Sequence, residues 1–207
     1  MIVSLNEAEV MATKAAWGAG RPWGLAQDAG RAVSTLEAMR LPGAASLLDV
    51  LVATDGVACE KLRPASVQTE CWQAERPMCP VLVGAFISDL GAQSEVVRLR
   101  QVHAPLLLVP FCLTAFDNVV FNWSDCTIRS SDEGLFVHGA LNAKVADQVS
   151  IDDCEPAEEP THRWHPGAVD IGDEIWEALS AFAHRTYVPA SEASRLKGAG
   201  AGLTDND

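Results

Sequence analysis

The chain has 207 residues, of which 48% are hydrophobic, so it can bury a sizeable core without metals or disulfides. Its 28 acidic and 15 basic residues give a formal net charge of −13. This charge argues against DNA, RNA or an anionic membrane surface as a partner, because such partners require clustered lysine and arginine. The longest apolar run, Ala104–Phe116, is too short to span a bilayer, so we expect no membrane association.

Two helices are predicted first along the chain. Ser4 and Glu7 have the spacing of a capping box, and the alanines that follow at helical intervals predict a helix from Leu5 to Trp17. Pro22 suits the first turn of a second helix, because its missing N–H is not needed there. That helix is expected to end at the Leu-Pro-Gly sequence of residues 41–43.

A shorter third helix is expected over Ala45–Val52, which completes a helical subdomain within residues 1–55. Residues 53–78 show no hydrophobic period and contain two prolines, so we predict irregular structure there. The apolar segment Pro80–Leu90 fits either a buried helix or a strand, because periodicity cannot separate the two at this length.

The densest run of β-branched, leucine and aromatic residues occupies residues 96–139, interrupted by turn residues. This pattern predicts consecutive strands. They are expected at Val97–Val102, Pro105–Phe116, Val119–Arg129, Leu135–Gly139 and Ala146–Asp152. The gaps are too short for helical crossovers, so we predict an antiparallel β meander within residues 96–152.

The C-terminal part is predicted to be helical. Asp170 or Asp173 is expected to cap an amphipathic helix that covers one face of the sheet, and residues 190–197 are expected to add one or two turns. We therefore predict a single α+β domain over residues 1–207, with its C-terminal helices in 170–198 and its N-terminal helices against the sheet.

The cysteines and the N-terminus bear on the cellular compartment. Six cysteines lie at irregular spacings, which favours reduced thiols over a disulfide framework: Cys59, Cys71, Cys79, Cys112, Cys126 and Cys154. The N-terminal segment lacks the basic and apolar regions of a secretory signal. These features predict a cytoplasmic protein.

Two segments carry a resemblance. LNEAEVMATKAAWGAGRPWGLAQDAGRAV at residues 5–33 and TYVPASEASRLKGAGAGLTDND at residues 186–207 resemble a family of bacterial proteins known only as a domain of unknown function. The resemblance covers about a quarter of the chain. It implies a self-contained protein of ordinary length, and it carries over no activity, cofactor or catalytic residue.

Both of these segments combine glycines with a cation. Glycine lets successive backbone amides converge on an anion, and a guanidinium can bind a carboxylate through two hydrogen bonds. If the segments meet beside the sheet, we expect them to bind a small anionic metabolite. The alternative is that the glycines only end helices. The candidate binding residues are Gly18, Gly20, Arg21, Trp23, Ser191, Ser194, Arg195, Lys197, Gly198 and Gly200.

His103 and His138 are candidate catalytic bases, because an imidazole titrates near neutral pH. The alternative is that each histidine is simply satisfied within the sheet. His162 and His165, with Cys154 upstream, fall short of a zinc-binding spacing, so we predict no metal. Neither glycine cluster has the spacing of a nucleotide-binding loop, so we predict no cofactor.

Two functions stay open at this point. The first is an enzyme or binding protein for a carboxylate-bearing metabolite, with Arg21 and Arg195 holding the ligand and His103 or His138 moving the proton. The second is a non-catalytic accessory or interaction subunit, whose glycine-rich ends dock a second copy of the chain or a partner subunit. A pocket that holds both arginines and a histidine would favour the first, and an exposed apolar surface that bears tryptophans would favour the second.

Overall fold

The computed structural model describes residues 1–90, 96–155 and 159–187. Within these ranges the helices are α1 (Leu5–Gly18), α2 (Trp23–Ala38), α3 (Gly43–Ala53), α4 (Pro80–Leu90), α5 (Val109–Ala115) and α6 (Asp173–His184). The strands are β1 (Ile2–Val3), β2 (Val96–His103), β3 (Val119–Trp123), β4 (Cys126–Ser131), β5 (Gly134–His138), β6 (Val145–Asp153), β7 (His162–Arg163) and β8 (Val169–Asp170). None of the helices in the described ranges is long and apolar enough to cross a membrane.

The N-terminal helices confirm their sequence signals. The Glu7 amide donates to Ser4 Oγ at 3.2 Å, and the Ser4 amide donates to Glu7 Oε2 at 2.8 Å, so the capping box is complete. α2 begins directly after Pro22, and α3 begins directly after Pro42. α1 packs along α2 on one side and along α6 on the other.

The sheet is antiparallel and has the strand order β2-β6-β3-β4-β5-β7. This confirms the predicted α+β class with N-terminal helices. β3, β4 and β5 follow one another as a meander, while β6 returns along the chain to lie between β2 and β3. β1 and β8 pair separately as a small two-stranded sheet beside α6.

The predicted strand at Pro105–Phe116 is wrong. Residues Pro105–Leu108 form a 3₁₀ turn, and α5 follows at once. Leu106, Leu107, Leu108 and Val109 are fully buried, because the segment lies between α4 and the sheet. A segment that is apolar on every side shows no period, and both prolines suit first turns of helices, so the sequence pattern could not exclude a helix.

The predicted single strand at Val119–Arg129 is also wrong, because it is a hairpin of β3 and β4. Ser124 adopts a positive φ of 49° between the two strands, and Trp123 pairs with Cys126 across the turn. The open choice at Pro80–Leu90 is resolved as the buried helix α4. The irregular structure expected between 53 and 78 contains one 3₁₀ turn, at Cys59–Lys61.

The C-terminal helix α6 forms, but its predicted cap does not. Gly172 occupies the N-cap and provides no side-chain bond, and Asp173 is the first helical residue. The Asp173 carboxylate lies 2.8 Å from the Met1 amino group instead. α6 has its main contacts with α1 and α3, so it extends the helical layer rather than lying over the sheet.

The core lies between the helices and one face of the sheet. Along β3, Val119, Phe121 and Trp123 are buried, while the residues between them are partly exposed. The same alternation holds along β4. The opposite face of the sheet is therefore partly open to solvent among the described residues, as antiparallel sheets commonly are.

Candidate functional site

The first predicted binding segment forms the turn between α1 and α2, which we call the first corner (residues 16–23). The Arg21 amide donates to the Ala16 carbonyl at 3.1 Å, and the Gly20 amide donates to the Trp17 carbonyl at 2.9 Å. With Gly20 at a φ of 85°, these bonds form a Schellman motif. The residue after the left-handed position usually makes an apolar contact in this motif, yet here it is an arginine.

Arg21 is only 4% exposed, and its guanidinium donates hydrogen bonds to other residues of the chain. Nη2 donates to the Thr54 carbonyl at 3.3 Å and to the Thr54 hydroxyl, and Nη1 lies 3.4 Å from the Val57 carbonyl. Its Nε is buried without an acceptor among the described residues. A guanidinium engaged in this way ties α1 to the end of α3, so we no longer expect Arg21 to bind a ligand.

The glycines of the first corner also have structural reasons. A Cβ on Gly18 would lie 1.9 Å from the Phe182 carbonyl oxygen of α6, so only glycine permits this approach. Gly20 supplies the positive φ, and nothing lies within 4 Å of a Cβ on Gly24. Trp23 is half exposed and meets Trp17 edge to face, with ring centroids 5.2 Å apart. These placements agree with the alternative that the glycines only end helices.

The second predicted binding segment lies outside the described residues. It comprises Ser191, Ser194, Arg195, Lys197, Gly198 and Gly200. The contact of α6 with α1 brings the chain as far as Tyr187 close to the first corner, because the Lys14 ammonium lies 5.7 Å from the Tyr187 ring centroid. The meeting of Arg21 and Arg195 stays a prediction.

The two candidate histidines lie far apart. His103 ends β2 and His138 ends β5, and three strands lie between them in the sheet. Four steps of strand spacing alone separate them by at least about 19 Å. His138 is exposed, and burial lowers the pKa of His103. The structure therefore does not bring them together in one site.

The buried cysteines and His162 have structural surroundings. Burial raises the pKa of the Cys112 thiol, and burial raises the pKa of Cys126 to about 11, as expected for inert cysteines. The ring Nδ1 of His162 lies 3.1 Å from the Met39 carbonyl oxygen. In the described ranges, no group of three histidine, cysteine or acidic side chains is placed to hold a metal.

A cavity of about 340 Å³ lies at the turn between α2 and α3, which we call the second corner (residues 36–43). Leu41, Val169, Ile171 and Ile175 provide apolar walls. Glu37, Arg40, His165 and Asp170 provide charged or titratable groups on the same walls. Mostly apolar walls with a few convergent polar groups are typical of a small-molecule site, and this volume lies at the small end of that range.

Glu37 is the unusual residue of this cavity. It is 8% exposed, and its Oε1 accepts the Ala44 amide of α3 at 2.8 Å. Burial raises the pKa of Glu37, and the amides of Ala44 and Gly43 only partly oppose that shift. A buried carboxyl with a raised pKa on a cavity wall is the kind of group that acid–base catalysis uses.

The opposite charge in the second corner comes from Arg40. This residue has a positive φ of 56° and an exposed side chain. No carboxylate of the described ranges forms an ion pair with it. His165 is fixed nearby, because its amide donates to the Ala38 carbonyl at 2.7 Å. The cavity thus combines a buried acid with a cation and an imidazole.

Our sequence prediction missed Glu37, although a signal was present. Val33 and Leu36 belong to the apolar stripe of α2, and Glu37 follows Val33 by four residues, so it falls on the same stripe. An acidic residue on a buried stripe needs a partner or a function. Nothing in the sequence indicated that residues 165–172 would close the cavity, because that contact is distant along the chain.

Residues 3–78 match a family described as a protein of unknown function, DUF3726. This confirms the resemblance for the N-terminal part of the chain, while the C-terminal segment lies outside the matched residues. No curated protein matches the sequence.

Among solved structures, the chain is similar to malate dehydrogenase from Pyrococcus horikoshii OT3, with 10% identity and a TM-score of 0.46. The match covers 69% of this chain and 51% of that chain, so our chain spans about half the length of that protein. A likeness this distant supports neither a fold family nor an activity.

Proposed function

We propose that the protein binds a small carboxylate-bearing metabolite in the second-corner cavity and that Glu37 exchanges a proton with it. The observation that carries this proposal is a buried carboxyl with a raised pKa on the wall of a cavity that Arg40 also lines. We place the activity in the cytoplasm, since all six cysteines are free thiols, which a reducing compartment maintains.

The roles of the side chains follow from their chemistry. Arg40 can hold a ligand carboxylate through a charge-assisted, two-pronged hydrogen bond. The apolar walls exclude water from the ligand body, which strengthens such a bond. Glu37, when protonated, can donate to a hydroxyl, carbonyl or amine next to that carboxylate, and when ionised it can take the proton back. His165 offers a second proton acceptor on the same cavity.

Thermal-shift screening followed by calorimetric titration tests the binding. A panel of small hydroxy, keto and amino acids should contain a ligand that raises the melting temperature of the wild type. Arg40→Gly should weaken the binding of that ligand by at least about tenfold, because it removes both charge-assisted hydrogen bonds to the carboxylate. Arg100→Ala removes the same charge from an exposed position on β2 and should leave the affinity unchanged. Equal binding by wild type and Arg40→Gly would refute the proposal.

The proton-transfer role needs a separate measurement. Glu37→Gln keeps an oxygen for the Ala44 amide but cannot titrate. This variant should still bind the acid found by screening. Conversion of that acid to a product, followed by NMR, should stop. Conversion by Glu37→Gln at the wild-type rate would refute the proton-transfer role of Glu37.

A second function is favoured by the aromatic surface at the first corner. Trp17 is 47% exposed and Trp23 is 51% exposed, and Val10 and Tyr187 extend the same side of α1 with exposed apolar surface. Exposed aromatic clusters are typical of protein interfaces. If this surface is an interface between copies of the chain, the wild type should self-associate and Trp17→Ser should not. Sedimentation equilibrium at increasing protein concentration measures this. A monomer at every concentration would count against self-association.

A further inference from the structure

A second concavity is lined by Trp164, whose neighbour in sequence, His165, lines the second-corner cavity. It is a groove of about 510 Å³ between α1, α2 and the α4–α5 pair. Trp164 and Phe111 contribute aromatic surface, and Glu9, Asp28 and Arg31 contribute charges. Four hydroxyl side chains complete its polar lining: Ser34, Thr35, Ser88 and Thr114. The predictions from sequence and the proposed acid-binding site use none of these residues.

Trp164 is exposed yet held in place on both sides. Its side chain is 52% exposed, so about half of the indole surface is open to solvent. The preceding segment is held where the His162 ring contacts the Met39 carbonyl, and the following residue is held by the bond from the His165 amide to the Ala38 carbonyl. Both anchors lie at the end of α2. The indole ring is therefore presented to the groove on a fixed backbone.

The aromatic floor of the groove is also fixed by packing. Gly84 of α4 lies so close to Phe111 that a Cβ there would be 2.4 Å from the Phe111 ring. On the α1–α2 wall, a Cβ on Gly30 would be 2.1 Å from the Thr13 hydroxyl oxygen. Two glycines thus allow the walls to approach closely, so the shape of the groove does not depend on flexible side chains alone.

The polar lining sets the charge of a suitable ligand. Arg31 pairs with Asp28 at 3.3 Å, which leaves the Glu9 carboxylate as the net charge of the groove. An anionic ligand would be repelled by these carboxylates. Hydroxyl side chains both donate and accept hydrogen bonds, carboxylates accept, and the guanidinium donates. This mixture suits a ligand that carries several hydroxyl groups and no negative charge.

We infer that the groove binds a neutral pyranose ring. One face of such a ring consists of C–H groups that can pack on the indole of Trp164, and its hydroxyl groups point outward toward the serine, threonine and carboxylate oxygens. Combined apolar and polar contact of this kind is what a tryptophan beside hydroxyl groups provides. The groove is larger than one ring, so it also has room for an attached group.

Saturation-transfer NMR with methyl β-D-glucopyranoside and methyl β-D-galactopyranoside tests the inference. At least one of them should bind the wild type, with contacts from its ring C–H protons. Trp164→Ala should weaken this binding by about tenfold, and Trp164→Phe should retain part of it. Trp17→Ala is the matched control, because Trp17 is 47% exposed but lies on another surface, and it should bind as the wild type does.

D-glucuronate and tetramethylammonium, used as competitors, test whether the groove prefers a neutral ligand. Neither should displace the methyl glycoside. Failure of both glycosides to bind, displacement by tetramethylammonium, or unchanged binding by Trp164→Ala would overturn the inference. Glycoside binding should persist in Arg40→Gly, so the groove and the acid-binding cavity can fail independently.

Discussion

The first and second corners are the same backbone turn with different residues. In each, two amide bonds close a Schellman motif, a residue of positive φ follows the helix, and a proline precedes the next helix. The first corner has glycine at the positive φ and a buried arginine after it. The second has arginine at the positive φ and the buried, apolar Leu41 after it.

This difference decides which corner can hold a ligand. In the first, the guanidinium points inward and both of its Nη atoms donate to the chain, so little remains for a ligand. In the second, the apolar residue fills the interior, and the cation stays outside beside a cavity. Glycine and arginine that are adjacent in sequence therefore make an anion site only where the arginine faces an open space.

The largest effect is expected from a substitution that disrupts the first corner. Gly18→Ala places a Cβ 1.9 Å from the Phe182 carbonyl, so α1 and α6 must separate. We expect a loss of about 1–3 kcal/mol in the free energy of unfolding, the usual range for overpacking. Gly24→Ala, which meets nothing within 4 Å, is the control and should be neutral or slightly stabilising. Urea denaturation of both variants measures this, and equal stability would contradict the packing role of Gly18.

Much of the fold could be predicted because its signals are local. The capping box at Ser4 and the proline before α2 act within one helical turn, and both helices begin where expected. α3 begins at Gly43, two residues before the expected Ala45. The segment at Pro105 could not be predicted in this way, because its apolar run fits a strand and a buried helix equally well. Its neighbours in space decide between them.

The candidate site was harder to predict for the same reason. A glycine cluster is visible in the sequence, but its packing against Phe182 is a contact 164 positions away. Glu37 lies on an apolar stripe, which local reasoning can detect. The cavity beside it depends on residues 165–172, which reach α2 only in the folded chain. Local patterns therefore located the corners but not the space next to them.

A second prediction compares the carboxyls near the two corners. Glu37 has a pKa raised from 4.5 by burial, so the folded state keeps a proton that the unfolded state has released. Wild-type stability should therefore fall as pH rises above about 4.5 through the raised pKa, by up to about 1.4 kcal/mol per pH unit. Glu37→Gln has no carboxyl to ionise at this position, so its stability should not fall in this way. Its free energy of unfolding relative to the wild type should therefore increase as pH rises above about 4.5.

Asp55, beside the first corner, provides the control of opposite sign. Its pKa is lowered from 3.8 by the hydrogen bonds from Arg185, whose Nη1 lies 2.7 Å from Oδ1. The stability that Asp55 contributes is present above 3.8 and is lost as pH falls, so Asp55→Asn should approach the wild type in acid. Denaturation of both variants across this pH range provides the measurement. A difference for Glu37→Gln that does not change with pH would remove the case for its raised pKa.

The smallest effects are expected from substitutions at the two residues of positive φ, Gly20 and Arg40. A side chain in the left-handed region costs roughly 1 kcal/mol relative to glycine, because its Cβ crowds the carbonyl oxygen. Gly20→Ala should therefore destabilise the first corner by about that amount, since a Cβ there meets nothing else within 4 Å. Arg40→Gly should stabilise the second corner by a similar amount, from a φ of 56°. If Arg40→Gly instead lowers the melting temperature, the Arg40 side chain must contribute to the fold, and its loss of ligand affinity could not be assigned to the missing charge alone.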